Sequence, residues 1–162
     1  MDTVSIGFKK AHPDAKLPEY AHEGDAGMDV YAVEDVELVP GKATLVSTGL
    51  VADIPDGYEI QVRPRSGLAL KNNVTVWNSP GTCDSHYRGI IGVIMMYMPP
   101  LDEMVIKEFE IIPGVKASSK FIHKGDRIAQ LVVAPVTKCT PVEVAEVGDT
   151  DRGTGGFGST GM

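Results

Sequence analysis

The amino-acid sequence predicts an all-β domain, and three observations support this prediction. Apolar and β-branched residues occur in short runs of strand length, such as residues 30–33 and 128–133. The 18 glycines and 11 prolines are scattered between such runs, as the turns of an all-β protein require. No window of helical length keeps its apolar residues at a period of 3.6.

Length, composition and charge indicate one soluble domain. The chain has 162 residues, of which 43% are hydrophobic and 23% charged. The net charge of −7 argues against a nucleic-acid partner bound through counterion release, although a few placed arginines could still hold a polyphosphate. The N-terminus contains no long apolar run, so neither a signal peptide nor a membrane span is expected. Cys83 and Cys139 lack CxxC spacing, which favours reduced thiols in a cytoplasmic protein and no zinc site.

The elements are predicted in chain order from apolar runs and from the turn residues that bound them. The predicted strands are residues 4–9, 28–33, 36–39, 43–50, 58–62, 74–77, 90–98, 104–112, 127–136 and 141–147. One short helix is predicted over residues 66–71, with Ser66 as its N-cap and Asn72 and Asn73 at its end. Residues 148–162 are glycine-rich and cannot bury a core, so we expect a domain over 1–147 and a mobile tail.

Two segments between predicted elements combine residue types suited to general-base catalysis and to phosphate binding. Residues 81–89 lie between two predicted strands and form a hairpin with Asp84 near its tip, either as a general base or as an ordinary turn residue. Arg65, Ser66 and Gly67 stand where a strand meets the helix. Free N–H groups at a helix start attract phosphate, although a simple capped helix has the same pattern.

Polar residues inside two apolar runs need an explanation. Asp29 is either satisfied structurally or placed near a cation, and the sequence leaves both readings open. Gln130 interrupts a buried run and needs hydrogen-bond partners. Asp126 and Arg127 favour a turn and a structural ion pair. In the tail, Phe157 is either part of a flexible end or a stacking plate over a ligand, with glycine N–H groups around phosphate.

Taken together, these segments resemble the trimeric dUTPases, the deoxyuridine triphosphate nucleotidohydrolases. The five motifs of that family occur in family order at residues 26–29, 64–67, 78–89, 125–131 and 152–161. Each motif is weak alone, but five in order are specific. The resemblance runs from about Pro18 to the C-terminus. It implies a jelly-roll-like, distorted β-barrel, a homotrimer whose three active sites are each assembled from three chains, and Mg²⁺-dependent hydrolysis of dUTP to dUMP and pyrophosphate.

The resemblance also implies a role for each matching residue. Asp84 resembles the general base that activates water, and Tyr87 the ring that packs on deoxyribose and excludes a 2′-hydroxyl. The uracil edge would be read by Asn78 and by the backbone of Thr82, Cys83 and Asp84. The phosphate contacts would come from Arg65, Ser66, Gly67, Gln130 and Arg152. Asp29 would hold waters of a Mg²⁺ ion that sits mainly on the triphosphate, Phe157 would stack on uracil, and Gly158 and Ser159 would contact the γ-phosphate.

The sequence departs from the family pattern at three places. Ile90 follows Tyr-Arg-Gly where a polar residue is usual, and Cys83 replaces an aliphatic residue. The stretch between Gly89 and Gly125 is also longer than usual, with the excess within about residues 99–121, read as an added strand over 104–112 and a loop over 113–120. Insertions of this kind usually lie on the surface and can be functional.

Two other functions compete with this reading. A regulatory module on the same fold could bind another protein through the inserted stretch, with or without catalysis. A dCTP deaminase would need a glutamate in the strand after the hairpin, and residues 92–98 contain none.

Overall fold

The computed structural model describes residues 3–100, 106–107, 110–111 and 118–156. Within these residues the regular secondary structure consists of β-strands and one short helix, so the predicted all-β class is confirmed. The strands are β1 (Gly7–Lys10), β2 (Met28–Tyr31), β3 (Val36–Leu38), β4 (Thr44–Ser47), β5 (Leu50–Asp53), β6 (Tyr58–Arg63), β7 (Val74–Val76), β8 (Gly81–Cys83), β9 (Gly92–Tyr97), β10 (Ile106–Lys107), β11 (Glu110–Ile111), β12 (Lys120–Ile122) and β13 (Arg127–Pro135). The helix is α1 (Ser66–Asn72), and no helix of the described ranges has the length and hydrophobicity needed to cross a membrane.

The strands pair antiparallel in small sheets, and those of the described residues form no closed barrel. The largest sheet has the order β2–β13–β6–β8, and the next has the order β4–β9–β7. Three further pairs are β1–β5, β3–β12 and β10–β11. Fully buried side chains of both larger sheets, among them Val30, Ile60, Leu131, Val93 and Met95, belong to one hydrophobic cluster. That cluster fixes the two sheets relative to each other, and so fixes the residues at their ends.

The segment predicted as one strand over residues 43–50 is two strands, β4 and β5, which belong to different sheets. Gly49 has a φ of 65° at the break, and a Cβ there would lie 2.7 Å from Cβ of His12. Only glycine fits both the left-handed backbone and this close approach. The buried Thr48 hydroxyl donates a hydrogen bond to the Ile91 carbonyl at 2.7 Å, which secures the crossing.

The helix forms where it was predicted, but Ser66 is not its N-cap. Arg65 occupies that position with an extended backbone and makes no side-chain capping bond, and Ser66 is the first helical residue. Asn73 ends the helix as predicted, since it takes a left-handed φ of 52° and its N–H bonds to the Leu68 carbonyl. No residue of α1 is buried, so α1 is a surface element that carries Arg65 and Ser66 at its start.

Two further predictions are wrong where the structure describes them, and a third is wrong only in its last residue. Residues 141–147 form no strand: they are exposed, and no described strand pairs with them. In the inserted stretch, β10 and β11 form an antiparallel pair instead of the single strand predicted over 104–112. The loop predicted over 113–120 ends inside β12, which pairs with β3. Residues 101–105, 108–109 and 112–117 of this stretch lie outside the described part of the chain.

Candidate active site

The first half of the candidate site is an ion-pair cluster around Asp29 in β2. The Asp29 side chain is 7% exposed, and its two carboxylate oxygens each accept a hydrogen bond from a different arginine. Arg65 donates through Nε at 3.0 Å, and Arg127 donates through Nη1 at 3.0 Å. Arg65 also donates to the carbonyl oxygen of Arg127 at 3.1 Å. The sequence left open whether Asp29 is satisfied structurally or placed near a cation. The structure shows that both oxygens of Asp29 are satisfied by side chains of the protein, which are the two arginines.

A β-bulge in β13 brings Arg127 and Gln130 onto the same side of the sheet. In register, Gln130 faces Asp29 of β2 and Arg63 of β6. Residues three apart on a regular strand point to opposite faces, yet the register shifts between Arg127 and Ala129. The extra residue lets Ile128 and Ala129 both enter the core, at 1% and 0% exposure. The sequence predicted an ion pair for Arg127, which is confirmed, but not that Asp29 is its partner.

Gln130 and the start of α1 lie beside this cluster. A Cβ on Gly27 would lie 3.1 Å from Cβ of Gln130, so this glycine of the first motif gives the Gln130 side chain its space. Ser66 and Gly67 are exposed at the first turn of α1, directly after Arg65. The structure thus brings together Asp29, Arg65, Ser66, Gly67 and Gln130. Two arginines around one carboxylate leave one net positive charge, which suits a phosphate group.

A cleft of about 310 Å³ opens next to the same two arginines. Its lining carries three basic side chains and one carboxylate, from Arg65, Arg127, Lys120 and Asp126. Ser66, Gly67 and Gln130 are not part of the lining, so the cleft and the predicted phosphate contacts share only Arg65.

The second half of the candidate site is the turn that follows β8. The segment 81–89 is not the simple hairpin that was predicted, because Gly81–Cys83 leaves the β7–β9 sheet and pairs with β6. Asp84 follows at once and is exposed, and its carbonyl accepts the N–H of Tyr87 at 3.0 Å. The Tyr87 hydroxyl donates to the Ile90 carbonyl at 3.1 Å, and its side chain remains half-exposed. A carboxylate and an aromatic ring therefore share one tight, solvent-facing turn.

The residues around Asp84 divide into exposed and buried positions. Thr82 and Asn78 are exposed, and a Cβ on Gly81 would lie 3.2 Å from the Asn78 amide nitrogen. Cys83 is buried in β8, opposite Ile60 of β6. Burial, and next the negative charge of Asp84, raise the pKa of the Cys83 thiol. Burial and the raised pKa both disfavour the thiolate form of Cys83.

Within one chain the two halves of the site do not meet. β6 and β8 are antiparallel, and Cys83 lies opposite Ile60. Asp84 is one residue past this pair towards the start of β6, whereas Arg65 is five residues past it towards the end of β6 and beyond. At about 3.3 Å per residue, Asp84 and Arg65 are separated by roughly 15–20 Å along β6. Neither side chain can cover that distance.

The described part of the tail bonds to itself. Arg152 is exposed and donates through Nε to the Gly155 carbonyl at 2.8 Å. The Gly153 N–H bonds to the Thr150 carbonyl at 2.9 Å. The predicted contacts of Phe157, Gly158 and Ser159 lie outside the described residues.

The donor set can be tested for the predicted Mg²⁺. No group of three or more His, Cys, Asp or Glu side chains capable of holding a metal occurs among the described residues. Mg²⁺ at nucleotide sites is commonly held by substrate phosphates, waters and one or two carboxylates, so a single carboxylate is enough for the predicted role. A carboxylate has about four lone-pair sites, and the Asp29 carboxylate uses two of them, so it can still accept bonds from metal-bound water.

Comparisons with known proteins match the whole chain. A model of the dUTPase family matches residues 13–112 and 111–161. The deoxyuridine 5'-triphosphate nucleotidohydrolase of a Picosynechococcus species is 51% identical over 158 residues, covering 98% of this chain and 99% of the relative.

Solved structures agree. The dUTPase of Staphylococcus bacteriophage 80alpha with dUpNHpp superposes with a TM-score of 0.83 at 29% identity, covering 99% of this chain and 100% of that one. A dUTPase of phage phi11 of S. aureus, described with a structural Mg(II) ion, gives a TM-score of 0.74 at 25% identity, covering 88% of this chain and 98% of that one. The all-β fold, the order of its motifs and the family model that spans nearly every residue lead to one conclusion: this chain belongs to the dUTPase family.

Proposed function

We propose that the chain hydrolyses dUTP to dUMP and pyrophosphate, at sites that several copies of the chain build together. The observation that most supports this proposal is the turn after β8. There the Tyr87 N–H donates to the Asp84 carbonyl at 3.0 Å, and both side chains face solvent. Membership of the dUTPase family supplies the substrate class. The proposal also needs a phosphate-binding half, which the Asp29 cluster supplies.

The chemistry is an attack of water on the α-phosphorus. Asp84 takes the proton from the attacking water, the new P–O bond forms, and the bond from the α-phosphorus to the bridging oxygen breaks, so that pyrophosphate leaves. General-base help of this kind contributes about 10²–10⁴ in rate. Phosphoryl transfer otherwise depends on positioning and on charge neutralisation more than on covalent catalysis.

Binding and selectivity come from the remaining predicted residues. Arg65, Ser66, Gly67 and Gln130 hold the phosphates, and Asn78 with the backbone of residues 82–84 reads uracil. Tyr87 closes the space that a 2′-hydroxyl would need. When Mg²⁺ is bound it neutralises triphosphate charge, and Asp29 would orient its waters. Arg152, Phe157, Gly158 and Ser159 close over the nucleotide as the tail folds, which excludes water.

The site is shared between copies, and the proposed assembly is a homotrimer. The separation of roughly 15–20 Å between Asp84 and Arg65 in one chain supports this, because a single chain cannot bring its base to its own phosphate-binding half. A site that joins two different surfaces of the same chain is a heterologous contact, and such contacts form a closed ring, such as a trimer, when the rotation between copies closes.

A substrate panel tests the function. Pyrophosphate release is measured with Mg²⁺ on dUTP, dCTP, dTTP and UTP at equal concentrations. We expect strong turnover of dUTP alone, since Tyr87 rejects the ribose of UTP and the β8 backbone leaves no room for the 5-methyl group of dTTP. Comparable turnover of UTP or dTTP would contradict the proposal, as would preferred turnover of dCTP.

A further inference from the structure

Gly89 lies directly beneath the ring of Tyr87. A Cβ built on Gly89 would lie 2.5 Å from Cζ and 2.9 Å from Cε2 of Tyr87, and closer still to its hydroxyl oxygen. Real Cβ atoms do not approach other atoms this closely. The φ angle of Gly89 is not positive, so the backbone conformation does not require glycine here. The requirement at this position is therefore clearance for one aromatic ring.

The ring, and not the backbone, would have to move if this clearance were lost. The Tyr87 N–H is bound to the Asp84 carbonyl at 3.0 Å. Arg88 holds the same turn, since its Nη1 donates to the carbonyl oxygens of Ser85 at 2.6 Å and Tyr87 at 3.1 Å. The Tyr87 side chain is half-exposed, and among the described residues its hydroxyl is held by one hydrogen bond, to the Ile90 carbonyl at 3.1 Å. Rotation of this side chain costs less than distortion of the turn.

We propose that Gly89 is a positioning residue for nucleotide selectivity. Because Gly89 has no side chain, the Tyr87 ring can lie against it, and in that position the ring excludes a 2′-hydroxyl. This inference rests on the proposed dUTP hydrolysis and identifies what fixes its sugar selectivity. The three atoms nearest a Cβ on Gly89 all belong to Tyr87, so we expect a change at Gly89 to move the ring while Asp84, in the same turn, keeps its place.

The test is a double-mutant cycle between the two residues. Gly89→Ala is compared with the wild-type chain in melting temperature and in kcat/KM for dUTP and UTP. We expect a melting temperature close to wild type and a loss of dUTP-over-UTP discrimination of roughly tenfold or more, because a small misplacement of a positioning group has large kinetic effects. Gly7→Ala is the control, since a Cβ there meets its nearest atom, Cβ of Asp53, at an ordinary 3.4 Å.

The second half of the cycle uses the Tyr87→Ala background, where the ring is gone and a Cβ on Gly89 has room. Adding Gly89→Ala should then change neither melting temperature nor dUTP turnover, which is the non-additivity expected of contacting residues. Unchanged discrimination in Gly89→Ala, or an equal further change in discrimination when Gly89→Ala is added to Tyr87→Ala, would overturn the inference. A wild-type chain that fails to hydrolyse dUTP would instead overturn the proposed function, and the inference with it.

Discussion

The carboxylate of Asp29 accepts the Nε–H of Arg65 at 3.0 Å, although the two residues lie 36 positions apart. With Arg127 on the second oxygen, this pairing fixes the direction of a guanidinium group that the proposed function places on the phosphates. Asp29 is therefore a positioning residue for Arg65, whatever water it also holds.

Asp29→Asn should weaken both folding and substrate binding. The change removes the carboxylate that two partly exposed arginines share, and losing hydrogen bonds to a charged group costs about 1.5–3 kcal/mol in the free energy of unfolding. KM for dUTP should rise more than kcat falls, because Arg65 loses its orientation while Asp84 is untouched. Denaturant unfolding and steady-state kinetics measure the two effects.

The matched control for that variant is Asp53→Asn. Asp53 pairs with Arg88 at the same 3.0 Å, but its side chain is 78% exposed. Exposed pairs contribute only about 0–1 kcal/mol, so this variant should unfold almost as the wild-type chain does. Equal destabilisation by the two substitutions would contradict the role assigned to Asp29.

Asp84→Asn should lose catalysis and keep its fold. Asp84 is exposed, and it anchors the turn through its backbone carbonyl, which the substitution leaves in place. Loss of a general base lowers kcat by about 10²–10⁴. Nucleotide affinity, measured by calorimetry with a non-hydrolysable dUTP analogue, should hardly change. A near-normal kcat would mean that the water is activated elsewhere.

Truncation after Val147 should leave a folded protein with little activity. The tail bonds of Arg152 and Gly153 run within the tail, so their loss removes nothing from the hydrophobic core. The melting temperature of the truncated chain tests whether it folds, and its dUTP turnover tests whether it is active. Phe157→Ala should lose less activity than the truncation, because base–aromatic stacking accounts for about 1–3 kcal/mol while Arg152 remains. Unfolding of the truncated chain, or full turnover, would exclude a tail that closes on the ligand.

Tyr31 gives the fold a pH dependence in alkaline solution. A hydrogen bond from its hydroxyl to the Glu19 carboxylate, with burial, raises the pKa of Tyr31 to about 12 from 10.0. The folded state therefore binds this proton more tightly than the unfolded state does. The resulting stability is complete below about pH 10 and is lost as the pH rises towards 12.

Tyr31→Phe should remove this loss, so its unfolding free energy should fall less steeply than that of the wild-type chain above pH 10. Tyr20→Phe, which removes an exposed tyrosine, is the control and should follow the wild-type curve. Parallel curves for wild type and Tyr31→Phe would contradict the bond to Glu19.

The sequence singled out the residues proposed for the candidate site but not how they are arranged. Asp29 was conspicuous as a polar residue in an apolar strand, yet its partner Arg127 lies 98 positions away and local patterns do not reveal such distances. The sequence also did not predict the bulge that places Arg127 and Gln130 on one side of the sheet. The alternation of side chains between the two faces applies only to a regular strand. Gly89 was seen only as the end of a motif, since clearance for a ring has no one-dimensional signal.

Strand predictions failed where the hydrophobic pattern of a segment does not match its pairing with other strands. Val142 and Val144 alternate as in a strand, yet they are 75% and 58% exposed because no described strand lies beside them. Gly81–Cys83 has too few residues to stand out, but it pairs with β6 and thereby sets the place of Asp84. A strand depends on its neighbours, which are distant in sequence.

The central claim is that Asp84 and Arg65 of one chain serve different active sites, and a mixing experiment tests it most directly. Asp84→Asn and Arg65→Gln chains carrying different tags are co-expressed, and oligomers with both tags are purified. Each parent alone should be nearly inactive. In a homotrimer that contains both kinds of chain, one of the three sites should combine an intact Arg65 with an intact Asp84 from a different chain, and dUTP turnover should return to about a third of wild type. Mixed oligomers no more active than their parents would contradict the claim, because each site would then draw both residues from the same chain.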